Sequence, residues 1–327
     1  MIICQTPFRI SFFGGGTDFP RWYENNSGSV ISASIDKFSY ITARDLPNIF
    51  DFKYRLRYFK TEELKELNKI NHPTFREIIK KYHDSRKNIE IVHNADLPAM
   101  SGLGSSSSTT VGTIHAVMTL NNKKVSKKSL AYKAIEIEQK ILKESVGSQD
   151  QVVASCGGFN YIKFKKDRSI SIKPFKNYKN IQKIENSLLL VFTGIRRKAE
   201  KIEKDKLNNL KKKNNYYLQL NDLTFRAKRE IESKNFSLSN FGKLISEHWE
   251  IKKKLSSMVT NRNIDQIYKT GMDNGAYGGK LLGAGNGGFV LFICSQNSKN
   301  KIKKKLKNYL NIPIKFETEG SKIVKYI

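Results

Sequence analysis

The sequence predicts an α+β protein of two lobes, and three observations support this prediction. Short β-branched and aromatic segments dominate the first hundred residues, amphipathic helical patterns follow them, and a Lys-rich helical stretch begins beyond residue 180. A length of 327 residues also fits about two domains. We therefore expect one lobe over residues 1–180 and a second over residues 181–327.

The first lobe is predicted to begin with strands and to continue with helices. Turn residues separate the strand-like segments, which are residues 8–13, 29–35, 38–44, 55–59 and 89–93. Apolar residues recur at spacings of three and four over residues 105–120 and 129–142, which predicts two amphipathic helices. Residues 159–164 and 169–175 alternate around a charged turn and predict a hairpin.

The second lobe is predicted to open with the fully apolar strand at residues 188–193. Lys-rich helices extend from there to about residue 277. A glycine-rich turn, a strand at residues 288–294, a helix near residues 299–310 and a closing strand complete the chain.

The composition favours a globular protein that handles small anionic molecules. The chain has 39% hydrophobic residues and a net charge of +29, from 59 Lys and Arg against 30 Asp and Glu. The charge is mostly Lys and is spread over the whole chain, so we expect no specific nucleic-acid partner. Such a protein still attracts acidic metabolites such as nucleotides and sugar phosphates.

The sequence also predicts a cytoplasmic protein without membrane spans or disulfides. No apolar run approaches the roughly 18 residues of a spanning helix. The amino-terminal segment is interrupted by Pro7 and Arg9, unlike a signal peptide. Cys4, Cys156 and Cys294 are far apart in sequence, which favours reduced thiols and no zinc site.

The most informative segment runs from Pro98 to Thr110 and reads Pro-Ala-Met-Ser-Gly-Leu-Gly-Ser-Ser-Ser-Ser-Thr-Thr. It follows a predicted strand and opens a predicted helix, whose free N–H groups and dipole would bind an anion such as a nucleotide phosphate. It is neither a Walker loop nor a dinucleotide fingerprint, because the Lys of the first and the third Gly of the second are missing. A serine-capped helix after a flexible loop remains the simpler alternative.

The amino-terminal segment places Arg9 on a strand that runs into three glycines, Thr17 and Asp18. Three consecutive glycines suggest that a ligand approaches the backbone closely, and Asp18 could accept hydrogen bonds from sugar hydroxyls. The alternative is a glycine turn with Asp18 as a helix N-cap. A third segment, Lys280 to Phe292, is also glycine-rich, although it could be a simple connection between a helix and a strand.

Together, in this order, the three segments resemble the superfamily of galactokinase, homoserine kinase, mevalonate kinase and phosphomevalonate kinase, the GHMP kinases. Every fixed position of the second motif, Pro-x3-Gly-Leu-Gly-Ser-Ser, is matched from Pro98 to Ser106, and the similarity extends from Pro7 to Phe292. Within the superfamily the chain is most similar to the D-glycero-α-D-manno-heptose 7-phosphate kinases. The resemblance implies a lobe like ribosomal protein S5 domain 2, a ferredoxin-like lobe, and an active site between them.

The resemblance also assigns residues to ATP and to the sugar. The residues implied to bind ATP are Pro98, Ser101, Gly102, Leu103, Gly104, Ser105, Ser106 and Ser107. The residues implied to bind the sugar phosphate are Gly15, Gly16, Thr17, Asp18, Arg196, Gly283 and Gly285. Arg196 and Arg197 are the candidates for the 7-phosphate. Gly15 replaces the Glu of galactokinases, which argues against galactose as the substrate.

The catalytic and metal-binding residues are implied in the same way. Asp150, within Gly147-Ser-Gln-Asp-Gln, matches the catalytic Asp, and Arg9 matches the basic residue beside it. Glu138 matches the Mg²⁺-binding Glu, and the hydroxyl of Ser106, or alternatively that of Ser105, is expected to bind the same ion. At 100° per residue Glu138 falls at the edge of an apolar stripe, where a carboxylate could be partly buried, whereas Glu136 points away. Glu144 is the reserve ligand, and a surface carboxylate remains the alternative for Glu138.

The expected function is therefore phosphorylation of the anomeric hydroxyl of D-glycero-D-manno-heptose 7-phosphate by ATP, giving the 1,7-bisphosphate for nucleotide-activated heptose and surface polysaccharide. A related sugar 1-kinase of the fucose or galactose type is the alternative. A basic RNA-binding protein is a third, non-enzymatic possibility, which would leave Asp150 and Glu138 unexplained. The oligomeric state and the preferred nucleotide base stay open.

Overall fold

A computed structural model describes residues 1–196 and 200–326 as two β-sheets with helices packed against them. Arg197, one of the two candidates for the 7-phosphate, lies outside the described residues. In the described part of the chain the first sheet contains eight strands and the second contains four. Helices packed on two mainly antiparallel sheets are the predicted α+β class.

The first sheet is built around two long neighbouring strands, β1 and β2. The order β12-β1-β2-β5-β3-β4 runs across the sheet, and the hairpin β6–β7 joins β2 beside it. Its strands are β1 (Ile2–Phe13), β2 (Gly28–Leu46), β3 (Tyr54–Arg57), β4 (Thr61–Leu64), β5 (Asn88–Ala95), β6 (Phe159–Phe164), β7 (Ile170–Pro174) and β12 (Lys322–Tyr326).

Strand β2 is continuous, whereas the sequence predicts two strands over residues 29–35 and 38–44. Its pairing with β1 shifts register so that Pro7 faces Phe38 while Phe8 faces Ile35. The polar residues Asp36 and Lys37, which suggested a break, are therefore accommodated as a bulge within one strand. The first half of β2 pairs with β6 and the second half with β5.

The second sheet has the order β11-β8-β10-β9 and is antiparallel throughout. Its strands are β8 (Leu188–Phe192), β9 (Ala276–Leu281), β10 (Phe289–Cys294) and β11 (Asn311–Ile312). The closing strand β12 does not join this sheet, because it pairs with β1 in the first lobe. The division into lobes at residue 180 therefore remains a proposal. The last strand of the chain belongs to the sheet of the first lobe.

The helices lie on both sheets. The sequence predicts the helical stretch between residues 193 and 277 but none of the helices at residues 20–26, 73–82, 149–156 and 178–187. The helices are α1 (Pro20–Asn26), α2 (Pro73–Tyr82), α3 (Ser105–Leu120), α4 (Lys127–Ile135), α5 (Gln149–Cys156), α6 (Tyr178–Ser187), α7 (Glu200–Asn208), α8 (Asn214–Glu232), α9 (Leu238–Leu255), α10 (Arg262–Asp273) and α11 (Gln296–Lys305). The predicted helix over residues 105–120 is α3. None of the helices in residues 1–196 and 200–326 is long and apolar enough to cross a membrane.

The helix predicted over residues 129–142 is two elements. The α-helix α4 ends at Ile135, and a π-helical turn occupies Glu136–Ile141. A π-helical turn inserts an extra residue, so the 100° spacing used for the sequence pattern no longer applies there. The consequence is that Glu138 is buried to 1% exposure rather than lying at the edge of the apolar stripe.

Candidate active site

Arg9 and Asp150 form a bidentate ion pair where β1 passes the amino end of α5. The Arg9 Nε lies 2.7 Å from one Asp150 carboxylate oxygen, and Arg9 Nη2 lies 2.6 Å from the other. The Arg9 side chain is 6% exposed and that of Asp150 is 24% exposed. Two parallel N–H···O bonds fix both planes, so Asp150 is held in one orientation with part of its carboxylate open to a ligand.

The loop before α3 is attached to the same arginine. Arg9 Nη1 donates to the Gly102 carbonyl at 2.8 Å, and the Arg9 backbone N–H donates to the Leu103 carbonyl at 2.9 Å. Gly102 and Gly104 have φ values of +82° and +76°, which favour glycine. Because the first intrahelical bond is donated by Ser108 to Gly104, the N–H groups of residues 105–107 belong to the free first turn that attracts anions.

Glu138 lies buried beside this first turn. Its Oε2 accepts hydrogen bonds from the Ser107 hydroxyl at 2.9 Å and from the Gln151 side-chain amide. Its Oε1 is buried and has no hydrogen-bond partner among the described residues. Burial raises the pKa of Glu138 to about 7, with Glu144 adding to the effect and the hydrogen bonds from Gln151 and Ser107 opposing it. An unpaired buried carboxylate oxygen fits a cation ligand.

Asp18 connects the glycine loop of residues 14–16 to α5. One carboxylate oxygen accepts from the Gly16 N–H at 2.9 Å and the other from the Gln149 N–H at 3.1 Å. Burial raises the pKa of Asp18 to about 6, and the nearby charge of Asp150 acts in the same direction. Asp18 therefore holds the loop against the helix that carries Asp150.

The glycine loop after β9 packs directly on the phosphate loop of residues 101–107. A Cβ at Gly283 would lie 2.6 Å from the Gly102 Cα, and one at Gly288 would lie 2.3 Å from the Ser101 carbonyl oxygen. The buried lysine Lys252 lies beside this contact, and its Nζ donates to the Leu281 and Gly283 carbonyls. The two lobes thus meet at the amino end of α3, in a region of positive charge.

Comparison with known proteins identifies the family. Residues 68–158 match the model "GHMP kinases N terminal domain" and residues 229–312 match "GHMP kinases C terminal". The chain is 30% identical over 93% of its length to D-glycero-alpha-D-manno-heptose 7-phosphate kinase of Campylobacter jejuni, of which it covers 92%. The chain belongs to the GHMP kinase family. As a GHMP kinase it is an ATP-dependent phosphotransferase, and the predicted family, fold and enzyme class are confirmed.

Other GHMP kinases show the same likeness at greater distance. The chain is 25% identical to the bifunctional fucokinase/GDP-fucose pyrophosphorylase of Arabidopsis thaliana over 95% of its own length, which is 32% of that longer protein. The crystal structure of a D-glycero-D-manno-heptose 1-phosphate kinase from Bacteroides thetaiotaomicron superposes with a TM-score of 0.81 at 22% identity, with each chain covered completely. That similarity concerns the fold.

In this GHMP kinase, several residues that the sequence assigns to the site lie away from the Arg9–Asp150 pair. Others stabilise the surrounding fold. Thr17 is fully buried, and its hydroxyl donates to the Gly14 and Ser29 carbonyls, so it stabilises the glycine loop. A Cβ at Gly285 would lie 2.7 Å from the Val259 backbone, inside the second lobe. Pro98 and Arg196 are exposed on loops. Ser106 is exposed on the first turn of α3, and the hydroxyl that contacts Glu138 is that of Ser107.

Sequence reasoning missed three polar residues at this site. Gln151 follows Asp150 directly on α5, but no local pattern indicates its bond to Glu138. Lys280 opens the third segment, yet nothing local indicates that its amine is buried at 2% exposure. His248 lies within a Lys-rich helix and carries no signal in the sequence. Its contacts to residues 14 and 280 are long-range.

Proposed function

We propose that this GHMP kinase transfers the γ-phosphoryl group of ATP to the anomeric hydroxyl of D-glycero-D-manno-heptose 7-phosphate, with Mg²⁺, in the cytoplasm. The product would be the 1,7-bisphosphate, which leads to nucleotide-activated heptose and surface polysaccharide. The relative from Campylobacter jejuni, similar over nearly its whole length, supports heptose phosphate as the acceptor. In the proposal the partners are the sugar phosphate and ATP alone.

The observation that carries the proposal is the fixed Asp150 carboxylate beside the phosphate loop. Phosphoryl transfer requires positioning and charge neutralisation more than covalent chemistry. Asp150 accepts the proton of the anomeric hydroxyl as that oxygen attacks the γ-phosphorus. Arg9 keeps the carboxylate aligned through both of its N–H···O bonds and offsets the charge that develops on the transferred group.

The residues around α3 fit ATP. The free N–H groups of residues 105–107 and the left-handed backbone at Gly102 and Gly104 would bind the phosphates, as helix amino ends do. Ser101 supports this reading, because its hydroxyl is buried without a hydrogen-bond partner among the described residues. Pro98 and Leu103 shape the same loop.

The residues also fit one Mg²⁺ ion. The unpaired Glu138 Oε1 and the Ser106 hydroxyl would bind it, since hard cations prefer oxygen ligands and Mg²⁺ completes its shell with phosphates and water. The described residues contain no group of three or more His, Cys, Asp or Glu side chains suited to a metal, so a nucleotide would supply the remaining ligands. Mg²⁺ there would neutralise charge on the phosphates. Ser107 and Gln151 orient the Glu138 carboxylate.

The sugar is assigned to the space bordered by the glycine loop and Asp150. Asp18 and the backbone at Gly15 and Gly16 would contact its hydroxyls, while Gly283 borders the phosphate side from the second lobe. Arg196, exposed after β8, is the candidate cation for the 7-phosphate. A sugar 1-kinase of the fucose type is the second candidate, supported by the relative from Arabidopsis thaliana.

A substrate panel with Mg-ATP tests the proposal. We expect kcat/KM for D-glycero-D-manno-heptose 7-phosphate to exceed that for free heptose, L-fucose and D-galactose by about 100-fold, because only the first ligand can use a second anion site. Phosphorus NMR of the product should show a new anomeric phosphate. Arg196→Ala should reduce the preference, whereas Arg86→Ala, on a distant exposed pair with Asp84, should not. Equal turnover of a free sugar would contradict the proposal.

A further inference from the structure

Behind the glycine loop, a buried lysine and a buried histidine connect the two lobes. Lys280 lies on β9 at 2% exposure, and His248 lies on α9 at 1% exposure. Lys280 Nζ is 2.8 Å from the Phe12 carbonyl oxygen of β1 and 3.2 Å from His248 Nδ1. His248 Nε2 in turn lies 3.1 Å from the Gly14 backbone nitrogen. One continuous chain of polar contacts therefore runs from the second sheet to the loop that leads to Asp18.

The donors and acceptors along this chain determine where its protons are. A backbone N–H can only donate, so the Gly14 contact makes His248 Nε2 the acceptor. A neutral imidazole with an accepting Nε2 carries its proton on Nδ1. That Nδ1–H faces Lys280 Nζ, and an ammonium group has three donors and no acceptor. The contact is a hydrogen bond only if Nζ retains its lone pair.

The electrostatic surroundings favour the same assignment. Burial lowers the pKa of Lys280 well below its ordinary value, and the cations Arg9 on β1 and Lys206 on α7 lower it further. Burial also lowers the pKa of His248 well below its ordinary value, and the charges of Lys252 and Lys206 act in the same direction. Both side chains are thus favoured in their uncharged forms.

We propose that Lys280 is an uncharged positioning residue, which accepts a hydrogen bond from His248 and through it fixes the backbone of the glycine loop. The loop continues the chain of contacts, because the Gly14 carbonyl accepts from both the N–H and the hydroxyl of Thr17. Asp18 follows directly and accepts from Gly16. The consequence for the sugar rests on the proposed function, in which this loop and Asp18 bind the acceptor.

Protonation of Lys280 reverses the order of donors. The ammonium would donate to Nδ1, the imidazole proton would move to Nε2, and that N–H would then face the Gly14 N–H. Two donors facing each other cannot form a hydrogen bond, so the loop would have to shift. Sugar binding is therefore expected to weaken as the pH falls through the pKa of Lys280. ATP binding should not change, because it uses the phosphate loop of residues 101–107.

Nitrogen-15 NMR of the ligand-free full chain tests the assignment independently of any substrate. We expect His248 in the Nδ1–H form and the Lys280 side chain with the shift of a neutral amine at neutral pH. A spectrum of Lys280→Met assigns the lysine signal, and one of His248→Gln assigns the ring. An Nε2–H form of His248, or a charged Lys280, would overturn the proposal even if the sugar has been identified correctly.

Kinetics test the positioning role. Lys280→Met removes the acceptor while keeping the volume, and His248→Leu removes both ring contacts. Each is expected to raise the KM for the sugar about tenfold and to leave kcat and the KM for ATP unchanged. His248→Gln keeps an acceptor for Gly14 and a donor for Lys280, so it should restore the wild-type KM. Lys280→Met should also reduce the rise of the sugar KM at low pH, leaving the part that protonation of Asp18 causes.

Two kinetic results would contradict the role. One is a His248→Gln variant that is impaired as much as His248→Leu, because the order of donors would then be irrelevant. The other is an unchanged sugar KM and pH profile in Lys280→Met. If that variant does not fold, the NMR measurement on the unaltered chain decides the assignment. If the substrate panel contradicts the proposed sugar, the NMR result on Lys280 and His248 still stands. The proposed function and the proposed role of Lys280 are therefore tested separately.

Discussion

Asp150→Asn is expected to lower sugar-dependent ADP release by roughly 10²–10⁴-fold, the usual contribution of a positioned general base. Asparagine keeps the size of the side chain and one acceptor for Arg9, but it cannot take up the hydroxyl proton. The bond from Arg9 to the Gly102 carbonyl does not depend on the carboxylate, so the phosphate loop and ATP affinity should be preserved. Steady-state turnover and nucleotide titration on the same preparation measure the two quantities.

The control for this variant is Asp167→Asn, which changes an acidic residue in the exposed turn between β6 and β7. It should turn over as the wild type does. Near-normal turnover of Asp150→Asn would remove Asp150 from the role of base. Equal loss of turnover and ATP affinity would instead assign the aspartate to the scaffold of the phosphate loop.

Glu138→Gln is expected to lower kcat/KM for Mg-ATP by roughly 10²–10³-fold, because an amide is a poor ligand for Mg²⁺ and no longer neutralises it. The same change should stabilise the Mg²⁺-free protein above pH 7. The pKa of Glu138 is raised from 4.5 to about 7 in the folded chain. Between these values the folded state holds a proton that the unfolded state has lost, so stability falls as the pH rises.

The size of this stability effect follows from the pKa difference. A shift from 4.5 to about 7 corresponds to roughly 3 kcal/mol at and above pH 7. Glutamine has no proton to lose, so the variant should exceed the wild type by that order in the free energy of unfolding at pH 8, and by much less at pH 4. Denaturant unfolding at the two pH values without Mg²⁺ measures the difference.

Glu136→Gln is the matched control, because Glu136 shares the π-helical turn but pairs at the surface with Lys81. Its loss should change the free energy of unfolding by no more than about 1 kcal/mol and should leave Mg-ATP kinetics unaltered. A Glu138→Gln variant with wild-type dependence on Mg²⁺ would transfer the ligand role elsewhere, first to Glu144. Burial raises the pKa of Glu144 as well.

The sequence predicted the class of fold and the meeting of three distant segments, since motif order and spacing within a family imply a common site. Prediction from local sequence pattern failed where tertiary contacts determine the structure. The polar pair at 36–37 suggested two strands, and a bulge absorbed it. The 100° rule placed Glu138 at the edge of a stripe, and the π-helical turn buried it completely.

Other features could not follow from local pattern at all. The last strand returns to β1, which depends on pairing between residues more than 300 positions apart. The chain of contacts from Lys280 through His248 to Gly14 joins a strand, a helix and a loop that share no motif. Such contacts depend on how the lobes pack, and packing is not encoded in the periodicity of any single segment.

In the proposed mechanism the amino end of α3 binds the phosphates of ATP while Asp150 faces the sugar. The most direct test is a crystal structure of the full chain with Mg²⁺, a non-hydrolysable ATP analogue and D-glycero-D-manno-heptose 7-phosphate. We expect the phosphates on the backbone of residues 102–106 and the anomeric oxygen within hydrogen-bond distance of the Asp150 carboxylate. Phosphates bound at any other part of the chain, or a sugar remote from Asp150, would contradict this mechanism.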